Sequence, residues 1–477
     1  MATDTLAAPE ATPVQHLGRR AKLILFLLCA AQFAVALDFS ILNVALPAIG
    51  TDLGLGQADL QWGVTAFALP SGGFLLLSGR IADLYGRRRL FLAGLALFTA
   101  ASVLATLAWD PAGFLAGRAL QGLAAAMIVP SGMSLLTTTF REGPERDRAL
   151  GVSGLLLSLG FTTGMLLGGV LTDSLGWRST MALNVVMGLG VLLAAPGLLT
   201  ESRLPERPRL DLPGAVTITG GLLALIYALS TAADSGFGAP DVIGGLVLGT
   251  ALLAAFVLVE SRAAEPLVSL RMLRRPSIAW GNLGGLVTFS MMSSVVFLST
   301  LYLQQVLDLS PGTCGLVFGV MGLAAAAGGV LAPKLAGRIG AHRTLVAGLA
   351  VQALFTAALL AVGTGGAGAW LVVVAGSIAC FGHLFAIVAY SITATSGLAD
   401  EEQGLATGLV TSTQQVGITV GIPVLSAVAA ARGDALRAAG DGFATATLGG
   451  VRLGLGVDAA VVAAVALLVW LGLRRRA

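Results

Sequence analysis

Charge is scarce in this sequence. Only 11% of its 477 residues are charged, against roughly a quarter in an average soluble chain, and the mean hydropathy is +0.89. Lysine is nearly absent. Lys22 and Lys334 are each followed by leucine, so there is no Gly-Lys-Ser/Thr phosphate loop, and ATP hydrolysis by that route is excluded. The three cysteines, Cys29, Cys314 and Cys380, lie far apart, with no C-x-x-C and no metal-ligand spacing. No cluster of His, Cys and carboxylate suggests zinc, and no nucleophile–base constellation suggests an enzyme. A net charge of +3 is too small to argue for nucleic-acid binding. What is abundant is apolar: 56% of residues are hydrophobic, and 64 are glycine. That combination suits helices packed closely in a bilayer.

A bilayer core takes about 20 apolar residues to cross as a helix. Fourteen runs qualify: Leu23–Ala48, Gln61–Gly79, Leu90–Ala108, Ala112–Thr138, Leu150–Leu171, Thr180–Leu199, Leu212–Ser230, Val242–Val259, Ile278–Val306, Thr313–Leu331, Leu345–Val362, Trp370–Thr395, Leu405–Ala430 and Leu453–Leu473. Residues 1–18 read as a disordered polar tail. The first run is too long for a signal peptide and carries Asp38, so it reads as an uncleaved span.

Basic residues give the orientation. One side collects Arg19, Arg20 and Lys22, then Arg80 and Arg87–Arg89, then Arg141, Arg146 and Arg148. It continues with Arg203, Arg207 and Arg209, then Arg262, Arg271, Arg274 and Arg275, then Lys334, Arg338 and Arg343, and ends with Arg474–Arg476. The other side keeps Arg178, Arg432, Arg437 and Arg452. The positive-inside rule then puts both termini in the cytoplasm of a multi-pass protein of the cell membrane. The connection at Asp400, Glu401 and Glu402 runs against the pattern, but acids weigh little in this rule.

The chain repeats itself. Gly79-Arg80-Ile81 returns as Gly337-Arg338-Ile339, and Leu92-Ala93-Gly94-Leu95-Ala96 returns as Val346-Ala347-Gly348-Leu349-Ala350. Two six-helix units, 19–205 and 276–477, with two inserted spans in 206–275, account for the count. Parallel repeats of this kind are a common transporter plan.

The loop after span 2 reads Gly79-Arg80-Ile81-Ala82-Asp83-Leu84-Tyr85-Gly86-Arg87-Arg88-Arg89. It resembles the signature loop of the major facilitator superfamily, G-x-L-A-D-x-x-G-R-[RK], although Leu84 stands where that family usually has a basic residue. Leu37-Asp38-Phe39-Ser40-Ile41-Leu42-Asn43-Val44-Ala45-Leu46-Pro47 is similar to the first-helix motif of the fourteen-spanning drug:proton antiporters. Arg118-Ala119-Leu120-Gln121-Gly122 is similar to the superfamily's R-x-x-Q-G. Gly160, Gly164, Gly168 and Gly169 resemble the antiporter glycine motif, with Met165 where proline is usual. Trp177-Arg178 and Asn184-Val185 match the entrance to span 6, with Val186 in place of a proline. The resemblance implies an all-α membrane protein of two six-helix bundles plus two inserted helices. It also implies export of a hydrophobic or amphipathic small molecule, such as a drug or secondary metabolite, in exchange for protons by alternating access. Rival readings are uptake or uniport on the same fold, or a membrane sensor that does not transport. The partners expected are the small-molecule substrate, protons and lipid, for a monomer without cofactor, metal or nucleic acid.

Site residues follow from depth and from the resemblance. Asp38 lies about 22 Å into its span, where a carboxylate is costly unless protonated, paired or facing water. It is the candidate proton or substrate-cation site. Arg118 reaches a similar depth in span 4, and by the resemblance both spans line the central cavity. Arg118 can pair with Asp38 or bind an anionic group of the substrate, but it does not give up its own proton. His383 in span 12 is a candidate proton shuttle or a packed hydrogen-bonding partner. Gly79, Arg80, Asp83, Gly86, Arg87 and Arg88 form the candidate gate: a bridge between helix ends that breaks as the bundles rock. The span-5 glycines, at i, i+4 and i+8, form a stripe for close backbone approach that can seal or slide. Asp458, five residues into the last apolar run, reads as an interface residue near the headgroups.

Overall fold

The computed structural model describes residues 18–55, 60–140, 144–201, 211–236, 238–263, 270–396, 398 and 400–474. The N-terminal tail up to residue 17 and Arg141, Arg203, Arg207, Arg209, Arg475 and Arg476 lie outside the described residues. The chain forms α1 (Arg19–Leu53), α2 (Leu60–Gly73), α3 (Leu75–Tyr85), α4 (Arg87–Thr106), α5 (Pro111–Thr139), α6 (Pro144–Leu175), α7 (Arg178–Leu198) and α8 (Leu212–Ser235). It continues with α9 (Pro240–Glu260), the short α10 (Leu270–Leu273), α11 (Pro276–Leu301), α12 (Pro311–Ile339), α13 (Ala341–Ala358), α14 (Ala367–Thr395), α15 (Asp400–Ala438) and α16 (Phe443–Arg474). No strand occurs among the described residues.

Among the described residues, thirteen helices are long and apolar enough to cross a membrane, or fourteen when the bent pair α2–α3 counts as one span. The bend between α2 and α3 is 46°. Its cause is local: Pro70 has no N–H for the helical ladder, and Gly72 and Gly73 follow before Phe74 leaves helical geometry at φ −94°, ψ 0°. Several helices start on an oxygen-bearing cap followed by proline. Asp110 accepts from Gly113 N at 2.6 Å, Asp211 from Gly214 N at 2.9 Å and Ser310 from Thr313 N at 3.2 Å.

The helices α1–α7 pack as one group and α11–α16 as another. The two groups reuse a contact. Arg178 Nη2 at the start of α7 donates to Ala108 O at 2.9 Å, and Arg452 Nε in α16 donates to Val362 O at 2.9 Å. Gly94 and Gly348, partners in the sequence repeat, each sit where a Cβ would press on the neighbouring helix, at 2.9 Å from Ile128 Cγ1 and 2.7 Å from Gly382 O. Helices α8 and α9 pack on each other, and α8 lies against both α2 and α15.

The groups are joined at the end away from the basic loops. Asp173 Oδ2 accepts from Ser310 Oγ and Gly312 N, both at 2.9 Å. Gln304 Nε2 donates to Val44 O at 2.9 Å, and Ser426 Oγ bonds Gln61 Oε1. A cavity of about 570 Å³ sits beside these contacts, between Pro47 and Thr51 of α1 and Gln304, Gln305 and Asp308.

Candidate functional site

Asp38 and Arg118 meet at the centre of a polar cluster in the first bundle. Arg118 Nη1 donates to Asp38 Oδ1 at 2.9 Å and Oδ2 at 2.8 Å, and to Gln121 Oε1 at 2.8 Å. Gln121 Nε2 reaches Asp38 Oδ1 at 3.3 Å and Ser102 Oγ at 2.8 Å. Asn184 Nδ2 donates to Asp38 Oδ1 at 2.5 Å. Arg118 Nε donates to Gly63 O at 3.2 Å, and the guanidinium lies 4.7 Å from the centre of the Phe67 ring, a cation–π contact. Arg118 Nη2 has no hydrogen-bond partner among the described residues. Asp38, Arg118, Gln121, Asn184 and Ser102 are all fully buried.

The cluster therefore draws on α1, α2, α4, α5 and α7, inside one bundle. This corrects the expectation of a cavity between the bundles: Asp38 and Arg118 do pair, but no face of the pair is open to a substrate. The arrangement suits an ionised carboxylate, which accepts every bond it receives. A protonated Asp38 would have to offer a hydrogen where Arg118, Gln121 and Asn184 also offer theirs. Proton uptake at Asp38 and release of Arg118 are thus linked events.

His383 is brought to a different place. It is buried in the second bundle, with Nδ1 2.9 Å from Thr288 Oγ1 and its ring edge-on to Phe289 at 5.4 Å. The Thr288 hydroxyl donates to Gln352 Oε1 at 2.5 Å. With that hydrogen committed, His383 Nδ1–H is the donor to Thr288. The residue is a packed hydrogen-bonding partner here, remote from Asp38.

In the loop after α3, Arg87 Nε and Nη2 hold Asp83 Oδ1 at 2.9 and 2.8 Å, joining the end of α3 to the start of α4. Gly86 makes the corner at φ +119°, open to glycine and strained for other residues. The loop's second anchor, Glu201, was not expected. Its carboxylate accepts from Arg88 N at 3.1 Å and Arg89 N at 3.2 Å, an anion on the N-terminus of α4. Arg88 Nη2 donates to Pro196 O at 2.9 Å. A Cβ on Gly86 would lie 2.8 Å from the Glu201 carboxylate, so the glycine admits the acid as well as the turn. Gly79 faces Pro130 of α5. Arg80 lies near the loop with its side chain partly buried.

The span-5 glycines divide between two partners. A Cβ on Gly160, Gly164 or Gly168 would lie 2.8, 2.7 and 2.7 Å from Phe33 O, Leu37 O and Ile41 O of α1. Gly169 faces the other bundle, where a Cβ would lie 3.0 Å from Gly315 Cα in α12. Helix α6 continues unbroken through Met165.

Gln121, Asn184 and Ser102 were not singled out as ligands of Asp38. Gln121 and Asn184 do stand inside matched motifs, and that was the available signal; Ser102 offered none. Asp458 is the clearest departure. It is fully buried inside the protein, and α16 begins at Phe443, ten residues before the apolar run, so the acid lies near the middle of its helix. No group of three or more His, Cys, Asp or Glu side chains that could hold a metal occurs among the described residues.

Comparison with known proteins agrees with the motifs. The family model described as Major Facilitator Superfamily matches residues 28–422. The chain is 39% identical over 414 residues to the cephamycin export protein CmcT of Amycolatopsis lactamdurans, covering 85% of this chain and 84% of that one. It is 37% identical to the puromycin resistance protein pur8 of Streptomyces alboniger, covering 85% and 81%. Among solved structures, the POT family transporter PepTSo superposes with a TM-score of 0.71 at 15% identity, over 97% of this chain and 99% of that one. At that identity the likeness speaks for the fold alone. The chain belongs to the Major Facilitator Superfamily of membrane transporters.

Proposed function

We propose that the protein exports an amphipathic small molecule of the antibiotic class from the cytoplasm in exchange for protons. The named relatives support the export of antibiotics. The proton coupling rests on one observation, the buried pair of Asp38 and Arg118. On this reading the basic end faces the cytoplasm, and the contacts of Asp173, Gln304 and Gln61 close the outer end. The structure is then the cytoplasm-facing state, with Asp38 ionised and clasped after proton release. When the outer side opens, a proton on Asp38 cancels its charge and frees Arg118, and α5 and α7 lose the bonds that tie them to α1. Substrate occupies the space between the bundles, while the acid acts from inside one of them and shifts the balance between the two facings.

The purified chain in liposomes tests this. With an acidic lumen and an alkaline exterior, outward proton flow should draw puromycin or a cephamycin into the lumen, and an ionophore that collapses the gradient should abolish the accumulation. Equal equilibration with and without the gradient would overturn proton exchange in favour of uniport.

A further inference from the structure

Asp458 is a carboxylate that the pair at Asp38 does not use. It is fully buried in α16, and neither oxygen has a hydrogen-bond partner among the described residues. The repeat explains what is missing around it. From the shared anchor, Arg178 on Ala108 O and Arg452 on Val362 O, six residues inward along α7 is Asn184, and six inward along α16 is Asp458. Six residues back from the acceptors are Ser102 in α4 and Thr356 in α13. In the first bundle, Asn184 and Ser102 belong to the network around Asp38. In the second bundle Asp458 takes the place of Asn184, and the Thr356 hydroxyl, at the same level on a helix packed against α16, is also buried and has no partner among the described residues.

The cation has no counterpart. Gly94 lies close to Ala124 O and Gly348 close to Gly382 O, which matches α5 to α14. Six residues before Ala124 is Arg118; six before Gly382 is Gly376. Asp458 therefore stands at the position that matches Asn184, and the position that matches Arg118 is the glycine Gly376. The helices packed on α16 supply no other charge at this level. Helix α11 has no titratable side chain, and α13 has His342 and Arg343 in its first turn. Residues 403–431 of α15 have none, and beyond them Arg437 pairs with Asp434, with Arg432 nearby. Tyr302 donates to Gly363 O at 2.6 Å. On α16 itself, Arg452 lies about 9 Å outward on the helical rise and is bonded to Val362 O, and Arg474 lies over Trp470 at the other end.

An ionised carboxylate buried without a partner costs so much that the group takes up a proton instead. We propose that Asp458 is a second proton site, in the second bundle: it takes its proton from the outer side, still holds it in this conformation after Asp38 has released its own, and gives it up to the cytoplasm before the chain turns outward again. This rests on the proton-exchange reading above and extends it to two protons per cycle, one per bundle. Export of a neutral or monovalent cationic compound would then move net charge, so the membrane potential would assist it.

Two measurements test the proposal. In the wild-type chain, the hydrophobic carbodiimide dicyclohexylcarbodiimide, which attacks protonated buried carboxyls, should modify Asp458 as mapped by peptide mass, and the labelling should fade as pH rises. In liposomes at a pH where puromycin is a monovalent cation, Asp458→Asn should lower the protons moved per puromycin by one, which leaves an electroneutral exchange and abolishes stimulation by a membrane potential, while exchange of labelled for unlabelled substrate without a gradient persists. An unlabelled Asp458, or a labelled one with an unchanged proton count in Asp458→Asn, would overturn the second site. The labelling needs no variant, so the first test stands even where Asp458→Asn does not fold. Absence of any proton movement in the wild type would sink proton exchange itself, whereas a wild type that moves protons beside an identical Asp458→Asn sinks only this proposal.

Discussion

A single nitrogen, Arg118 Nη1, donates to both carboxylate oxygens of Asp38, 80 residues away in sequence, at 2.9 and 2.8 Å. Neither side chain touches solvent. Desolvated pairs of this kind contribute little net stability but are costly to halve, at about 3–5 kcal/mol when one partner is removed. Asp38→Asn should therefore abolish gradient-driven transport and also lower thermal stability. The stability loss comes from Arg118, whose guanidinium would remain buried without its carboxylate. Adding Arg118→Gln should recover most of the melting temperature without restoring proton-driven accumulation. Full gradient-driven transport by Asp38→Asn would remove Asp38 from the coupling mechanism.

The loop after α3 is held from two sides. Glu201→Gln keeps the shape of the anchor and removes its charge from the N-terminus of α4, a loss of about 1 kcal/mol. Asp83→Asn breaks the bridge to Arg87. Both variants should insert normally and transport more slowly, with the pair of changes no worse than additive because the two anchors are separate. Unchanged rates in both would leave the loop a topological signal.

Much of this was legible in the chain, and the exceptions share a cause. Apolar run length located the spans, and depth along the helix brought Asp38 and Arg118 to one level, because both are local counts. Glu201 could not be placed this way, since it reaches Arg88 across 113 residues. Asp458 was misplaced for another reason. Thr445, Thr447 and Arg452 dilute the first three turns of α16, so hydropathy starts the helix at Leu453 and puts the acid near its end, whereas the helix starts at Phe443 and the acid lies near its middle. The bend at Phe74 is half legible: Pro70 inside the second apolar run weakens the helical ladder there, but nothing local marks Phe74 as the break.

The glycine stripe makes a graded prediction. Gly164→Ala sets a methyl against Leu37 O and Ser40, an overpacking cost of about 1–3 kcal/mol within one bundle. Gly169→Val strikes α12 across the seam instead. It should leave melting nearly unchanged and expose the outer contacts. With Cys29, Cys314 and Cys380 buried, a cysteine at Ser310 would report this as faster labelling by an impermeant maleimide. Equal labelling in both backgrounds would mean that Gly169 does not hold the seam.

His383 offers a contrast. Its partners Thr288 and Gln352 already form a closed set, so His383→Gln should retain proton-driven transport within about threefold, equivalent to under 1 kcal/mol. Loss of the pH-gradient response alone would move the coupling role to it.

Topology is checked with the same thiol chemistry. In intact cells an impermeant maleimide should label Trp109→Cys, in the exposed turn between α4 and α5, and should spare Tyr85→Cys beside the arginine loop. The reverse pattern would invert the orientation.

Helix α8 ties the two bundles together from outside. Its Thr219 hydroxyl donates to Gly73 O at 2.7 Å, its Ser230 carbonyl accepts from Gln61 Nε2 at 2.8 Å, and its other flank rests on α15. Helix α8 thereby covers the seam between the bundles on the side where α2 and α15 adjoin, whereas on the other side α6 and α12 meet without such a cover, as closely as Gly169, Gly315 and Gly322 allow.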